Sequence, residues 1–194
     1  MNKKPFEIIY TSTQVQEAVN DIAQDIVAWV GGLPVRALNL VSVLEGARPF
    51  TRDLTARLEE LLPGLELTIH EVRIKGTDGT TLLKDRQWQE GRLDRQDIQK
   101  HPVLIVDDLV DSGLTLETLR RELASLGAEE IKTAVLIRKY GQTGGRVDFC
   151  GFELDLNPEA LAQKGLKDYW LFGYGMDLDG KQRDLDHVGW VEIR

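Results

Sequence analysis

Two hydrophobic periods alternate along the chain. Val15, Val19, Ile22, Ala23, Ile26, Val27 and Val30 recur at the spacing of a helix with one buried stripe. Ser12 or Thr13 is placed to cap its start, and Gly31-Gly32 to end it. Residues 6–10 before it read as a short strand. Residues 37–44 form an unbroken apolar run between turn residues, the pattern of a strand covered on both faces. A turn at Glu45-Gly46, a helix over 49–62 and an alternating strand over 67–74 follow. Residues 103–106 are a short apolar strand. A helix over 114–126 carries Leu116, Leu119, Leu123 and Leu126 on one face and closes at Gly127. Strands at 131–137, 147–154 and 169–172 complete the series. This alternation predicts an α/β fold, an open and mostly parallel twisted sheet flanked by helices.

The pattern dissolves between Lys75 and Lys100, where Gly76, Asp78, Gly79, Thr80 and Thr81 are loop formers and charge is dense. Loops of that length inside a domain are usually functional or disordered. A chain of 194 residues suits a single domain, here taken as 1–194. The formal charge of −8 argues against non-specific nucleic-acid binding, which needs a basic surface. No apolar run approaches the roughly 20 residues that span a bilayer, and no apolar stretch follows the short basic start. Cys150 stands alone, which suits a reducing cytoplasm. His70, His101 and His187 have no metal-ligand spacing.

Chemistry concentrates where the strand Val103-Leu-Ile-Val106 runs into Asp107-Asp108, and Asp111-Ser-Gly-Leu-Thr115 turns into a helix. Ligands of open α/β sheets bind at the carboxyl ends of strands. A glycine turn opening a helix aims backbone amides and the positive end of the helix dipole at one spot. Ser112 and Thr115 add hydroxyls, each charge-assisted bond contributing about 1.5–3 kcal/mol. No Gly-Lys-Ser/Thr is present, so this is not a Walker A loop. Two carboxylates beside a phosphate need partners of their own; ribose hydroxyls or a magnesium ion would serve. A plain acidic helix cap and a receiver domain are the competing readings. The receiver leaves the glycine turn unexplained.

The string Val-Asp-Asp-Leu-Val-Asp-Ser-Gly-Leu-Thr resembles the phosphoribosyl pyrophosphate (PRPP) motif of type I phosphoribosyltransferases. Asp148-Phe-Cys-Gly-Phe152, Trp170-Leu-Phe-Gly-Tyr-Gly-Met-Asp177 and Arg183-Asp-Leu-Asp-His187 resemble the hypoxanthine-guanine branch, as does Val43-Leu-Glu-Gly-Ala-Arg-Pro-Phe50. The resemblance implies a PRPP and magnesium site at Asp107 and Asp108, with Asp111, Ser112, Gly113, Leu114 and Thr115 around the 5-phosphate. It implies Asp111 as the general base near purine N7. Leu109, Lys139 (or Arg138 beside it), Trp170, Leu171 and Asp177 would surround the base, Trp170 stacking on it and Lys139 meeting its 6-oxo group. Glu45, Gly46 and Arg183 fall on the pyrophosphate, and Asp177 on a second magnesium. A lid over about 75–100, a hood over about 148–194 and a homodimer or homotetramer are further implications. On the residues alone, Trp170 serves equally as a core or interface aromatic, and Asp177 and Arg183 as a surface ion pair.

Three features depart from that branch. Glu45 stands where the pyrophosphate loop usually carries Lys or Arg. The segment Lys75-Gly-Thr-Asp-Gly-Thr-Thr81 lacks the branch's Ser-Tyr lid pair. Residues 155–167 read as an insertion with helix-forming character.

Overall fold

The computed structural model describes residues 6–34, 36–75, 87–90, 93–139, 145–154, 159 and 168–193. In chain order its elements are β1 (Glu7–Tyr10), α1 (Ser12–Gly31), β2 (Ala37–Val43), α2 (Arg48–Leu61), β3 (Glu66–Lys75), β4 (Gln87–Glu90), α3 (Arg95–Ile98), β5 (Pro102–Val110), α4 (Leu114–Leu126), β6 (Glu130–Lys139), β7 (Phe149–Leu154), β8 (Asp168–Phe172) and β9 (Val188–Ile193).

Helix α1 buries the anticipated stripe, from Val15 to Val30. Its cap is Thr11, not Ser12 or Thr13. The Thr11 hydroxyl accepts from the Gln14 amide at 3.3 Å, and the Gln14 side chain accepts from the Thr11 amide at 2.9 Å. A reciprocal pair satisfies two orphan amides at once, so the position of Gln14 selects the capping hydroxyl.

The larger sheet has the order β4-β3-β2-β5-β6-β7. Strands β3, β2, β5, β6 and β7 run parallel, and β4 lies antiparallel on the β3 edge. Alternation along β5 splits the core into two layers. Leu104 and Val106 face α1 and α2, packing with Ile22, Phe50 and Leu54. Val103 and Ile105 face α4, packing with Leu116, Leu119 and Leu123. The doubly covered sheet explains the unbroken apolar runs.

A smaller antiparallel sheet, β1-β9-β8, lies apart from the first. It corrects the expected hood in two respects. Strand β7 pairs with β6 in the larger sheet, and β1 from the other end of the chain joins the hood. Strand β9, which the sequence reading lacked, bridges β1 and β8.

Two further boundaries move. Strand β5 continues past Val106 to Val110, so Asp107 and Asp108 are strand residues rather than the start of a loop. The stretch expected to be irregular holds the end of β3, β4 and the single turn of α3. Residues 76–86 and 91–92 of the expected lid lie outside the described residues, as do all of 155–167 but Glu159. No helix among the described residues is long and apolar enough to cross a membrane.

Candidate active site

Strand β5 delivers the acidic pair to the carboxyl edge of the sheet. Asp107 is buried, and its Oδ1 accepts the Asp108 amide at 3.0 Å. Burial and the neighbouring Asp108 charge push the Asp107 carboxyl well above the usual aspartate range. Such a pair gains from a partner that donates hydrogen bonds or carries positive charge. Beyond it the chain turns at Gly113, whose φ of 71° lies in the left-handed region. Gly113 offers no side chain to cap α4, and the first amides of a helix have no intrahelical partner, which suits an anion.

The parallel register then brings in β6. Leu109 pairs with Ile137 and Val110 with Arg138. One step further, Asp111 and Lys139 come side by side, with Lys139 Nζ 3.4 Å from Asp111 Oδ2. The ammonium also lies 4.6 Å from the centre of the Tyr169 ring.

The loop after β2 forms the opposite wall. The Leu44–Glu45 peptide is cis. A Cβ on Gly46 would run into the Asp108 carboxylate, and one on Gly175 would run into the Gly46 carbonyl. The loop is therefore wedged between β5 and the hood where only glycine fits. Glu45 does not point a bare charge at this wall. Its Oε1 accepts from Arg73 Nη2 at 2.6 Å. That hydrogen bond and the Arg73 charge hold the Glu45 carboxyl below the usual range, and Arg183 and Arg48 add to the effect. Arg48 itself grips Glu71 through two hydrogen bonds of 2.9 and 3.2 Å.

The hood supplies the remainder. Trp170 is 51% exposed, and its indole N–H donates to the Asp177 carbonyl at 2.6 Å. The Asp177 carboxylate accepts from Arg183 at 2.7 Å and from the Gly180 amide at 2.9 Å. Arg183 also donates to the Gly175 carbonyl at 2.6 Å. Asp177 and Arg183 thus form one braced unit rather than two independent surface charges.

One cleft is lined by Gly46, Asp108, Leu109, Asp111, Lys139, Trp170, Leu171, Asp177 and Arg183. Ser112, Gly113, Leu114 and Thr115 follow Asp111 in the chain but are not among the residues that line this cleft, and neither is Asp107. Glu45 instead turns toward Arg73. Tyr169 and Met176 also line the cleft. Neither Tyr169 nor Arg73 was anticipated. The parallel pairing of Val43 with Val72 is what sets Arg73 near Glu45, and no local spacing announces it.

No cluster of three metal-binding side chains occurs among the described residues. Magnesium bound with substrate phosphates and water needs only one or two protein carboxylates. The adjacent carboxyls of Asp107 and Asp108, both pushed upward by burial and so short of positive charge, fit that requirement. Asp177 fits less directly, because Arg183 and Gly180 already engage both its oxygens.

Comparison with known proteins places this geometry in context. A family model described as the phosphoribosyl transferase domain matches residues 6–168. The hypoxanthine-guanine phosphoribosyltransferase of Mycobacterium avium is 29% identical, over 96% of this chain and 86% of its own. That of Dictyostelium discoideum is 26% identical, over 94% of this chain and 93% of its own. A solved hypoxanthine phosphoribosyl transferase of Trypanosoma cruzi superposes with a TM-score of 0.80 at 24% identity, covering 100% of this chain and 93% of that one. At that identity the likeness concerns the fold.

Proposed function

The chain belongs to the phosphoribosyl transferase domain family and is a phosphoribosyltransferase; from that premise we propose that it transfers ribose 5-phosphate from PRPP to a 6-oxopurine, hypoxanthine or guanine. The products are IMP or GMP and pyrophosphate, and the role is purine salvage. The observation that carries this reading is the Asp111–Lys139 pair at 3.4 Å inside a cleft that Trp170 borders. A carboxylate accepts a proton from a ring nitrogen, and an ammonium donates to a carbonyl. A 6-oxopurine offers both groups on adjacent edges.

Each remaining residue has work in this reading. Ser112, Gly113, Leu114 and Thr115 hold the 5-phosphate with backbone amides and hydroxyls at the start of α4. Asp107 and Asp108 accept from the ribose hydroxyls and, with Asp177, are the carboxylates that would hold magnesium. When bound, magnesium neutralises charge on the departing pyrophosphate. Arg183 and the Gly46 amide bind that leaving group, with Glu45 keeping Arg73 at the same wall. Trp170 stacks on the base, Leu109 packs beneath it, and Leu171 reads its edge through the backbone. As the bond from the anomeric carbon to pyrophosphate breaks, a purine nitrogen bonds to that carbon and Asp111 accepts the N7 proton. The group that develops positive charge is the sugar, so charge stabilisation around it and the leaving group matters more than nucleophile strength.

The cytoplasm and a homodimer or homotetramer belong to the same proposal. The unpaired Cys150 supports a reducing compartment. A second reading, nucleotide sensing or a different base, is favoured by Glu45, since a carboxylate beside pyrophosphate opposes its charge. Incubating the protein with PRPP, magnesium and each nucleobase while following pyrophosphate release separates the two. Turnover with a 6-oxopurine supports salvage. No turnover with any purine, beside tight GMP binding, supports sensing.

A further inference from the structure

We infer that Tyr169 is a positioning residue for base selection: its ring face holds the Lys139 ammonium at the depth where a purine 6-substituent enters the cleft. The inference rests on the purine-site reading above and extends it to a residue outside the expected set.

A lysine at a strand end ordinarily reaches into water. Lys139 does not, for its side chain is only 14% exposed. Among the described residues it meets the Asp111 carboxylate and the Tyr169 ring. The contact to Asp111, 3.4 Å, is long for a charge-assisted hydrogen bond, which ordinarily measures about 2.7–2.9 Å. Asp111 is also the group that takes up a proton during transfer. Once neutral, it no longer attracts the ammonium. The ring face at 4.6 Å does not change charge and keeps its attraction throughout.

The ring itself is fixed. Tyr169 is 3% exposed and packs edge-on against Trp190, with centroids 5.8 Å apart. Its backbone is clamped in the hood, where Tyr169 pairs with Glu192 on β9. Successive side chains of a strand point to opposite faces. Trp170 is accordingly exposed while Tyr169 is buried. Adjacent residues of β8 therefore divide the labour: Trp170 presents a stacking surface, and Tyr169 anchors the cation that reads the base edge. An ammonium has donors and no acceptor. Held in place, it favours a 6-oxo group and meets a 6-amino group donor to donor. Free to swing away, it would lose that discrimination.

The test replaces Tyr169 by Phe, by Leu, and by phenylalanines of increasing ring fluorination, which keep the shape while draining the electron-rich face. Readouts are KM for hypoxanthine and guanine, KM for PRPP, the 6-oxo over 6-amino preference, and the Kd for GMP by calorimetry. Tyr169→Phe keeps the ring face and is the parent against which the fluorinated rings are compared. Tyr169→Leu and the most fluorinated ring should raise KM for the 6-oxopurine and Kd for GMP by about two- to thirty-fold. The preference for 6-oxo bases should fall in parallel, with KM for PRPP unchanged. Should Tyr169→Leu fail to fold, the fluorinated series decides alone. A flat response across that series in an active wild type would overturn the inference while leaving the purine reading intact. A wild type that neither uses 6-oxopurines nor binds GMP would overturn both.

Discussion

At the scale of single residues, Asp111 and Glu45 make opposite predictions. Asp111→Asn keeps the size and most of the hydrogen bonding but cannot accept the purine proton. It should lower kcat by roughly 10²- to 10⁴-fold, the usual contribution of a general base, with the PRPP dissociation constant nearly unchanged. Steady-state kinetics beside direct PRPP titration checks this; an equal loss in both would mark Asp111 as structural. Glu45→Gln removes one negative charge from the side of Arg73 and from the proposed pyrophosphate wall. Pyrophosphate should inhibit the variant several-fold more tightly. Folding stability should change by less than about 1 kcal/mol, because the pair is partly exposed. Product-inhibition constants and thermal melts read the two effects. The acidic pair, the glycine turn and the loop at Glu45-Gly46 are legible in the chain because each is contiguous. Of the partners that tune them, Arg73 went unanticipated, and Lys139 was reached only through the family resemblance. Arg73 lies 28 residues from Glu45, and Lys139 28 residues from Asp111. Only the strand register, which sequence spacing does not encode, brings them together.

At the scale of elements, a buried hydroxyl links the hood to the helical layer. Tyr174 donates to Asp53 Oδ2 at 2.8 Å, and Gln16 of α1 donates to the same oxygen at 3.2 Å. Burial pushes the Asp53 carboxyl up, but hydrogen bonds from Arg52, Tyr174 and Gln16 outweigh it and leave the group below the usual range. A depressed carboxyl contributes stability that is present above its unfolded value, about 4, and is lost as pH falls through the folded value. Burial and the Asp53 charge push the Tyr174 phenol upward. A raised phenol contributes stability that is present below its unfolded value, about 10, and is lost as pH rises beyond it. Tyr174→Phe should therefore cost roughly 1–3 kcal/mol near neutrality, shrink the acid-side loss and abolish the alkaline loss due to the phenol. Melting temperature against pH for both proteins tests this; parallel curves would contradict it. Gly175→Ala should be harsher. Its φ of 96° strains any side chain, and the added carbon meets the Gly46 carbonyl. PRPP affinity and stability should fall together. Elements with a strong local period were readable in advance, α1 and β2 above all. Strand β9 was not, because Gly189 interrupts its apolar pattern and its partner β1 lies at the other end of the chain. The end of β5 was misplaced because two aspartates in succession look like a loop until both neighbours are known to continue the ladder.

At the scale of the whole molecule, a parallel sheet gathers the carboxyl ends of β2, β5 and β6 along one edge, and a sheet built from both ends of the chain closes over them. The fold class followed from alternating periods; the hood's true membership required the long-range pairing of β1 with β9. In the proposed reading, that edge brings together acids for a sugar, amides for a phosphate, a guanidinium for a leaving group and a lysine–aspartate pair for a base. Because the buried acids want positive charge, chelating magnesium should abolish turnover and restoring it should recover the rate; unchanged turnover in excess chelator would remove magnesium from the account. The most direct measurement of the central claim is a parallel assay of hypoxanthine, guanine, xanthine and adenine with PRPP and magnesium, following nucleotide and pyrophosphate together. Hypoxanthine or guanine should be converted one-for-one with pyrophosphate release, while adenine should not. Absence of turnover with every purine, alongside tight GMP binding, would contradict the claim.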